Sequence, residues 1–265
     1  MTNLRAAIKC IRFLLTTLFY HSVILIGNIF AKFGFNNKPW NTNLRKHWSI
    51  SVQKILKMKL TVNGTAPNPP FFLVANHLSY IDVWVLFSTA KGTFITKSDV
   101  QEWPLVGFVL RTAGMIFINR GRKADITRVN NEISKNVTQD QGVFLFPEST
   151  TSNGETILPF KSSLFQYPAQ EGIDVVTSAI TYRTNDENVD AASEICWCTE
   201  ISFPEHFWNV LKLKEFEATI TFSDQKLVHS DRKFLATNSK LILEEIFEPV
   251  KQLKTNAESN SSITV

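Results

Sequence analysis

From residue 71 to residue 180 the chain alternates between two hydrophobic periods, and this alternation limits the fold more than any other feature. Short apolar runs of strand type, FFLVA (71–75), GTFIT (92–96), GMIFI (114–118), GVFLF (142–146) and DVVTSAI (174–180), are separated by helix-like stretches at 79–90, 102–112, 122–139 and 162–170. Continuous apolar runs suit strands buried on both faces, and strands joined through helices run parallel. The expected fold class is α/β, a central, mostly parallel sheet flanked by helices. Two more strands are expected in EICWCTEISF (194–203) and EFEATITFS (215–223). An amphipathic helix over 231–254, through Ile242, Ile246, Val250 and Leu253, closes the chain.

A different pattern precedes the alternation. Residues 13–30, FLLTTLFYHSVILIGNIF, are apolar over a membrane-spanning length, yet Thr17, His21, Asn28 and Lys32 fall on one narrow helical stripe. Such a stripe suits a helix packed on a neighbour or lying in a membrane interface. In the next segment Leu44, Trp48, Val52, Ile55 and Leu56 line one helical face, with Arg45, Lys46, Lys54 and Lys57 around it. A basic amphipathic helix carrying Trp reads as membrane-surface, or else as packed on its own domain. The expectation is an N-terminal membrane-associated helical segment over 1–60, an α/β domain over 61–254 and a disordered tail over 255–265. Basic residues flank the apolar stretch on both sides, so charge alone assigns no orientation.

Net charge is only +4, which gives no strong case for nucleic acid but fits anionic lipid or phosphorylated ligands. The three cysteines make neither a disulfide framework nor a metal spacing, and Cys196 and Cys198 would share one face of the strand expected there. This suggests a reducing compartment. No metal site is expected.

Chemistry gathers at the carboxyl ends of such strands. Asn76 and His77 follow FFLVA, and Asp82 comes five residues after the histidine. If His77 sits in the turn and Asp82 early in the next helix, the carboxylate can hold one ring nitrogen and leave the other free to take a proton. Ser79 is the natural cap of that helix. A purely structural hydrogen bond would need the same residues. Three further stretches bear on the choice. GMIFINR ends in Arg120, FPEST carries Glu148, Ser149 and Thr150, and LPFKSSLF carries Lys161. Lys97 follows the strand GTFIT.

In this order the four stretches resemble the membrane-bound glycerolipid acyltransferase family of the 1-acylglycerol-3-phosphate acyltransferase type. Asn76, His77, Ser79 and Asp82 match its NHxSxxD motif. Gly114, Phe117, Ile118 and Arg120 match the second motif, and Phe146, Pro147 and Glu148 the third. Val175 to Ile180 match the fourth loosely. Ser149 stands where that family usually has glycine, and Asp174-Val175 where proline is common. The FPESTTSNG form looks closer to the lysophosphatidylcholine or lyso-ornithine-lipid branches than to FPEGTRS.

The resemblance implies transfer of an acyl chain from acyl-CoA or acyl carrier protein, neither held as a bound cofactor, to the free hydroxyl of a lysophospholipid of the 1-acylglycerol-3-phosphate type, with lyso-ornithine lipid or lysophosphatidylcholine as the alternative acceptor. His77 would be the general base and Asp82 its partner. The substrate-binding residues would be Asn76, Arg120, Glu148, Ser149, Thr150, Lys97 and Lys161. Membrane lipid is the expected partner, nucleic acid is not, and the active site is expected on the cytoplasmic face. Two other readings remain: thioester hydrolysis and a non-catalytic lipid-binding module.

Overall fold

The computed structural model describes residues 2–118, 125–198 and 200–251. In chain order the elements are α1 (Thr2–Ala31), α2 (Lys38–Leu56), β1 (Met58–Asn63), β2 (Phe72–Ala75), α3 (Asp82–Thr89), β3 (Gly92–Lys97), α4 (Val106–Thr112), β4 (Ile116–Ile118), α5 (Asp125–Asn136) and β5 (Gly142–Leu145). After these come α6 (Gln166–Glu171), β6 (Val175–Arg183), α7 (Ala191–Glu194), α8 (Phe203–Lys212), β7 (Phe216–Leu227) and α9 (Arg232–Ile246). The strands form one sheet in the order β1-β7-β6-β2-β5-β3-β4, in which only β6 and β7 pair antiparallel. This is the mostly parallel α/β architecture expected from the alternation.

The apolar runs are buried on both faces, and successive residues serve different layers. Phe71, Leu73, Ala75, Phe144 and Phe146 join one core with Trp48 and Val52 of α2, Trp84 and Val85 of α3, and Val210 and Leu211 of α8. Phe72, Val74, Val143 and Leu145 join the other, with Val129 and Ile133 of α5 and Leu235 and Ala236 of α9. The phenylalanines therefore fill both layers of the core.

The apolar face of α2 belongs to the first core, so its packed reading holds. Arg45 does not lie on a solvated face. It is buried, donates to Ala113 O and Gln141 Oε1 at 2.5 Å each, and sits 5.3 Å from the centre of the Phe87 ring.

Helix α1 is arranged the other way round, with its polar stripe turned to the protein. Thr17 accepts from Trp48 Nε1 at 3.1 Å, His21 Nδ1 lies 2.5 Å from the Thr112 hydroxyl, and Asn28 Oδ1 accepts from Asn37 and Asn41. Near its start Lys9 donates to Leu56 O and Leu213 O, and Phe13 packs on Trp84 and Phe207. Leu4, Ile8, Ile11, Leu15, Leu18 and Phe19 point outward, each at least half exposed. It is the one helix among the described residues that is long and apolar enough to cross a membrane. Six such side chains transferred to hydrocarbon are worth on the order of 10 kcal/mol, so this face supports membrane association.

Several expectations are corrected. The described residues of EICWCTEISF form no strand: α7 runs to Glu194, Trp197 N donates to Leu78 O, and Pro204 in the first turn of α8 starts a helix instead. Cys196 is buried and Cys198 exposed, so the pair shares no face. The closing helix stops at Ile246 rather than 254, because Pro249 turns the residue before it away from helical geometry. The helix expected over 102–112 begins only at Val106, after Pro104 and a left-handed Leu105 (φ 61°). Helix α2 ends at Leu56, where a left-handed Lys57 (φ 59°) turns the chain into β1, a strand the alternation did not announce. The expected tail over 255–265 lies outside the described residues.

Candidate active site

β2 and β5 are parallel neighbours with Val74 beside Leu145, so the residues leaving their carboxyl ends, Asn76-His77 and Phe146 to Glu148, arrive side by side. β3 is the next strand out, which brings Lys97 to the same edge.

His77 sits in the turn after β2 and Asp82 is the first residue of α3. His77 Nδ1 and Asp82 Oδ2 are 2.8 Å apart. Ser79 does not cap the helix; its hydroxyl is buried without a partner, and the carboxylate of Asp82 receives the Leu78 and Ser79 N–H groups at 2.8 and 3.0 Å. An acidic side chain in the first turn meets the orphan N–H groups and the positive end of the helix together. Asp82 Oδ1 accepts from the Tyr182 hydroxyl at 2.5 Å. Asp82 is fully buried, so these four donors replace water. An ionised carboxylate only accepts, so Nδ1 carries the proton and Nε2 is left as the basic nitrogen. The histidine side chain is 21% exposed, and its ring lies stacked on Phe146.

His77 borders a cavity of about 420 Å³, lined also by Ile95, Thr96, Lys97, Val100, Phe146, Ser149, Thr150, Thr151, Trp197 and Cys198. Lys97 is more than half exposed there and pairs with Asp99. Ser149 has a φ of 68°, in the left-handed region that glycine enters freely. A glycine at this place therefore answers a backbone need, and the serine meets it at a steric cost.

The structure brings His77, Lys97, Ser149 and Thr150 to one cavity and leaves three expected ligands off its lining. Asn76 is fully buried; its amide donates to Ile180 O at 2.9 Å and accepts from Ile180 N at 2.7 Å, tying β2 to β6. Lys161 is exposed elsewhere, and its backbone N–H closes the turn on Pro147 O. Glu148 is buried beneath the site, where Oε1 accepts from His77 N at 3.2 Å and Oε2 has no partner. Burial pushes its carboxyl up to about 8. Ser152 N in turn donates to His77 O at 3.0 Å, so both backbone groups of the histidine are held by the loop after β5. Arg120 lies outside the described residues.

The chain matches the family described as Acyltransferase over residues 57–181. It is 30% identical over 173 residues to 1-acyl-sn-glycerol-3-phosphate acyltransferase of Neisseria meningitidis, covering 64% of this chain and 67% of the relative. The chain belongs to the glycerolipid acyltransferase family. A second member, Lyso-ornithine lipid O-acyltransferase of Pseudomonas aeruginosa, is 33% identical over 150 residues, which cover 57% of this chain and 58% of that relative. The match thus spans somewhat over half of that relative's length. The crystal structure of the 1-acyl-sn-glycerophosphate acyltransferase from Thermotoga maritima shares the fold, with a TM-score of 0.60 and 18% identity over 89% of this chain and 95% of that one.

The site also includes residues the sequence did not single out. Tyr182 shares a face of β6 with Val176 and Ile180, and a buried phenol usually has a hydrogen-bond partner, which was the available signal. Trp197 and Cys198 gave none, because they reach the cavity from a loop that reads as a strand.

Proposed function

We propose that the protein transfers an acyl chain from an acyl thioester, acyl-CoA or acyl carrier protein, to the hydroxyl of a lysolipid at the membrane surface. The observation that carries this reading is the 2.8 Å contact between His77 and Asp82, which holds one ring nitrogen and leaves the other at the cavity. An alcohol attacks a thioester once its proton is taken in the same step, and the free Nε2 of His77 takes it. Asp82 stabilises the imidazolium that forms. The thioester C–S bond breaks, the ester C–O bond forms, and the proton returns from His77 to the departing thiolate. Lys97, Ser149, Thr150 and the residue Arg120 are the candidates to bind the head group or the donor, with Glu148 holding the histidine backbone from below. The docking of α1 on the domain supports a helix lying in the bilayer surface with its outer face down, and a site on the cytoplasmic side is part of the same proposal.

The first acceptor to test is lyso-ornithine lipid, which the 33% identical relative and the FPEST form both favour. The second is 1-acylglycerol-3-phosphate, named for the Neisseria relative. Purified protein in detergent is given labelled long-chain acyl-CoA and both acceptors, with lysophosphatidylcholine alongside, and His77→Ala as control. The expected result is one labelled diacyl product, absent in the variant. Thioester cleavage without acceptor would favour hydrolysis. No turnover with either acyl-CoA or acyl carrier protein would leave a lipid-binding module as the better reading.

A further inference from the structure

Two different parts of the chain hold the carboxylate of Asp82. The histidine and two backbone N–H groups, all within five residues of it, bind Oδ2. Oδ1 is bound by a single side chain a hundred residues away, the Tyr182 hydroxyl. Both Asp82 and Tyr182 are fully buried, so no solvent can take over if either side is lost. A carboxyl group turns easily about its last torsion, and a donor on Oδ1, opposite the three groups on Oδ2, fixes that rotation from the second side.

We propose that Tyr182 is a positioning residue of the acyl transfer: its hydroxyl fixes the rotation of the Asp82 carboxylate and draws charge away from the oxygen that faces His77. The proposal rests on His77 acting as the base in the reaction above. A hydrogen bond to an anion lowers its affinity for a proton. Loss of the Oδ1 donor would leave more negative charge on the oxygen that faces His77 and so favour the imidazolium.

Other groups near the pair do not duplicate this contact. Glu148 faces the backbone N–H groups of His77 and Leu158, with Lys240 beyond it. Lys97 and Cys198 share the cavity with the ring. Cys196 and Tyr80 lie near Tyr182, and the Tyr80 hydroxyl is bonded to His206 Nδ1 at 2.9 Å. The aromatic ring of Tyr182 packs beside Phe216, 6.3 Å between centres, and a phenylalanine would keep that packing.

Tyr182→Phe separates the two roles. In full-length protein in detergent micelles, kcat is expected to fall about tenfold with little change in KM. The acid limb of the kcat profile is expected to rise by about one pH unit. The NMR titration of the His77 ring protons, assigned through their loss in His77→Ala, should move up by the same amount. Whichever member of the pair takes the proton, the sign is the same. A lowered melting temperature with an unmoved pH limb and titration would show a purely structural tyrosine and overturn the proposal. Tyr182→3-fluorotyrosine keeps the ring and strengthens the donor; it should move both readouts downward, and serves if the phenylalanine variant does not fold. The titration needs no turnover. Failure of the wild type to acylate any lysolipid would therefore sink the proposed reaction, while the ring titration would still decide the part played by Tyr182.

Discussion

The imidazole of His77 lies flat on the ring of Phe146, with centres 4.0 Å apart and planes within 5° of parallel. The Asp82 contact sets the rotation of the imidazole and the Phe146 ring sets its tilt. Phe146→Leu keeps most of the apolar volume and loses the flat support. Its kcat for acyl transfer should fall roughly ten- to a hundredfold, with KM nearly unchanged. Steady-state kinetics on the acceptor that the lysolipid panel identifies check this, and an unchanged kcat would show that Asp82 alone orients the ring.

Glu148 makes stability depend on pH in an unusual direction. Its carboxyl is raised from an ordinary 4.5 to about 8 by burial, so between those values the folded chain holds a proton that the unfolded chain has released. Stability from this group is complete below about pH 4.5 and is lost as pH rises through about 8. Melting temperature should decline across that window in the wild type, and less steeply in Glu148→Gln. Parallel curves for the two proteins would mean that Glu148 is ionised in the fold.

Ser149 occupies a left-handed conformation at φ 68°. Ser149→Gly removes a steric cost of about 1–2 kcal/mol and adds some freedom to the unfolded chain. A net gain of about 1 kcal/mol is expected in thermal or denaturant unfolding. Loss of stability would show that the serine side chain contributes more than its backbone costs.

The sheet and the contact between His77 and Asp82 were legible because both rest on short-range patterns. Buried parallel strands are apolar without interruption, and the spacing of His77 and Asp82 fits one turn entering one helix. What the sequence hid were decisions made by partners distant in the chain. Asn76, Glu148 and Lys161 look alike as polar residues beside strand ends, yet Ile180 takes both polar groups of Asn76 and the His77 backbone takes one oxygen of Glu148. The run around Cys196 has strand composition, but Trp197 hydrogen-bonds to Leu78 in a loop. Only the fold reveals these pairings.

Helix α1 serves the domain and the membrane with opposite faces. Deleting residues 2–31 would strip Thr17 from Trp48, Lys9 from Leu56 O and Leu213 O, and Phe13 from Trp84 and Phe207. The truncated chain should lose its cooperative unfolding transition rather than become a soluble enzyme. Polar replacements at Leu15, Leu18 and Phe19 should instead release the protein from vesicles with little change in melting temperature. A well-folded, active deletion variant would refute the first expectation, and vesicle binding that survives the replacements would refute the second.

The sheet order also sets the sequence in which the chain can be assembled. β1 emerges from the ribosome before every other described strand, yet its only neighbour among the described residues is β7, which ends at Leu227. Strands β2 to β5 can pair as they are made, while β1 waits through nearly the whole of synthesis with its edge unpaired. A fragment cut to residues 57–181, the stretch shared with the family, would contain every element that carries His77 and Asp82 and still leave β1 without a partner. The smallest unit that can fold thus extends well past the smallest unit that can be recognised.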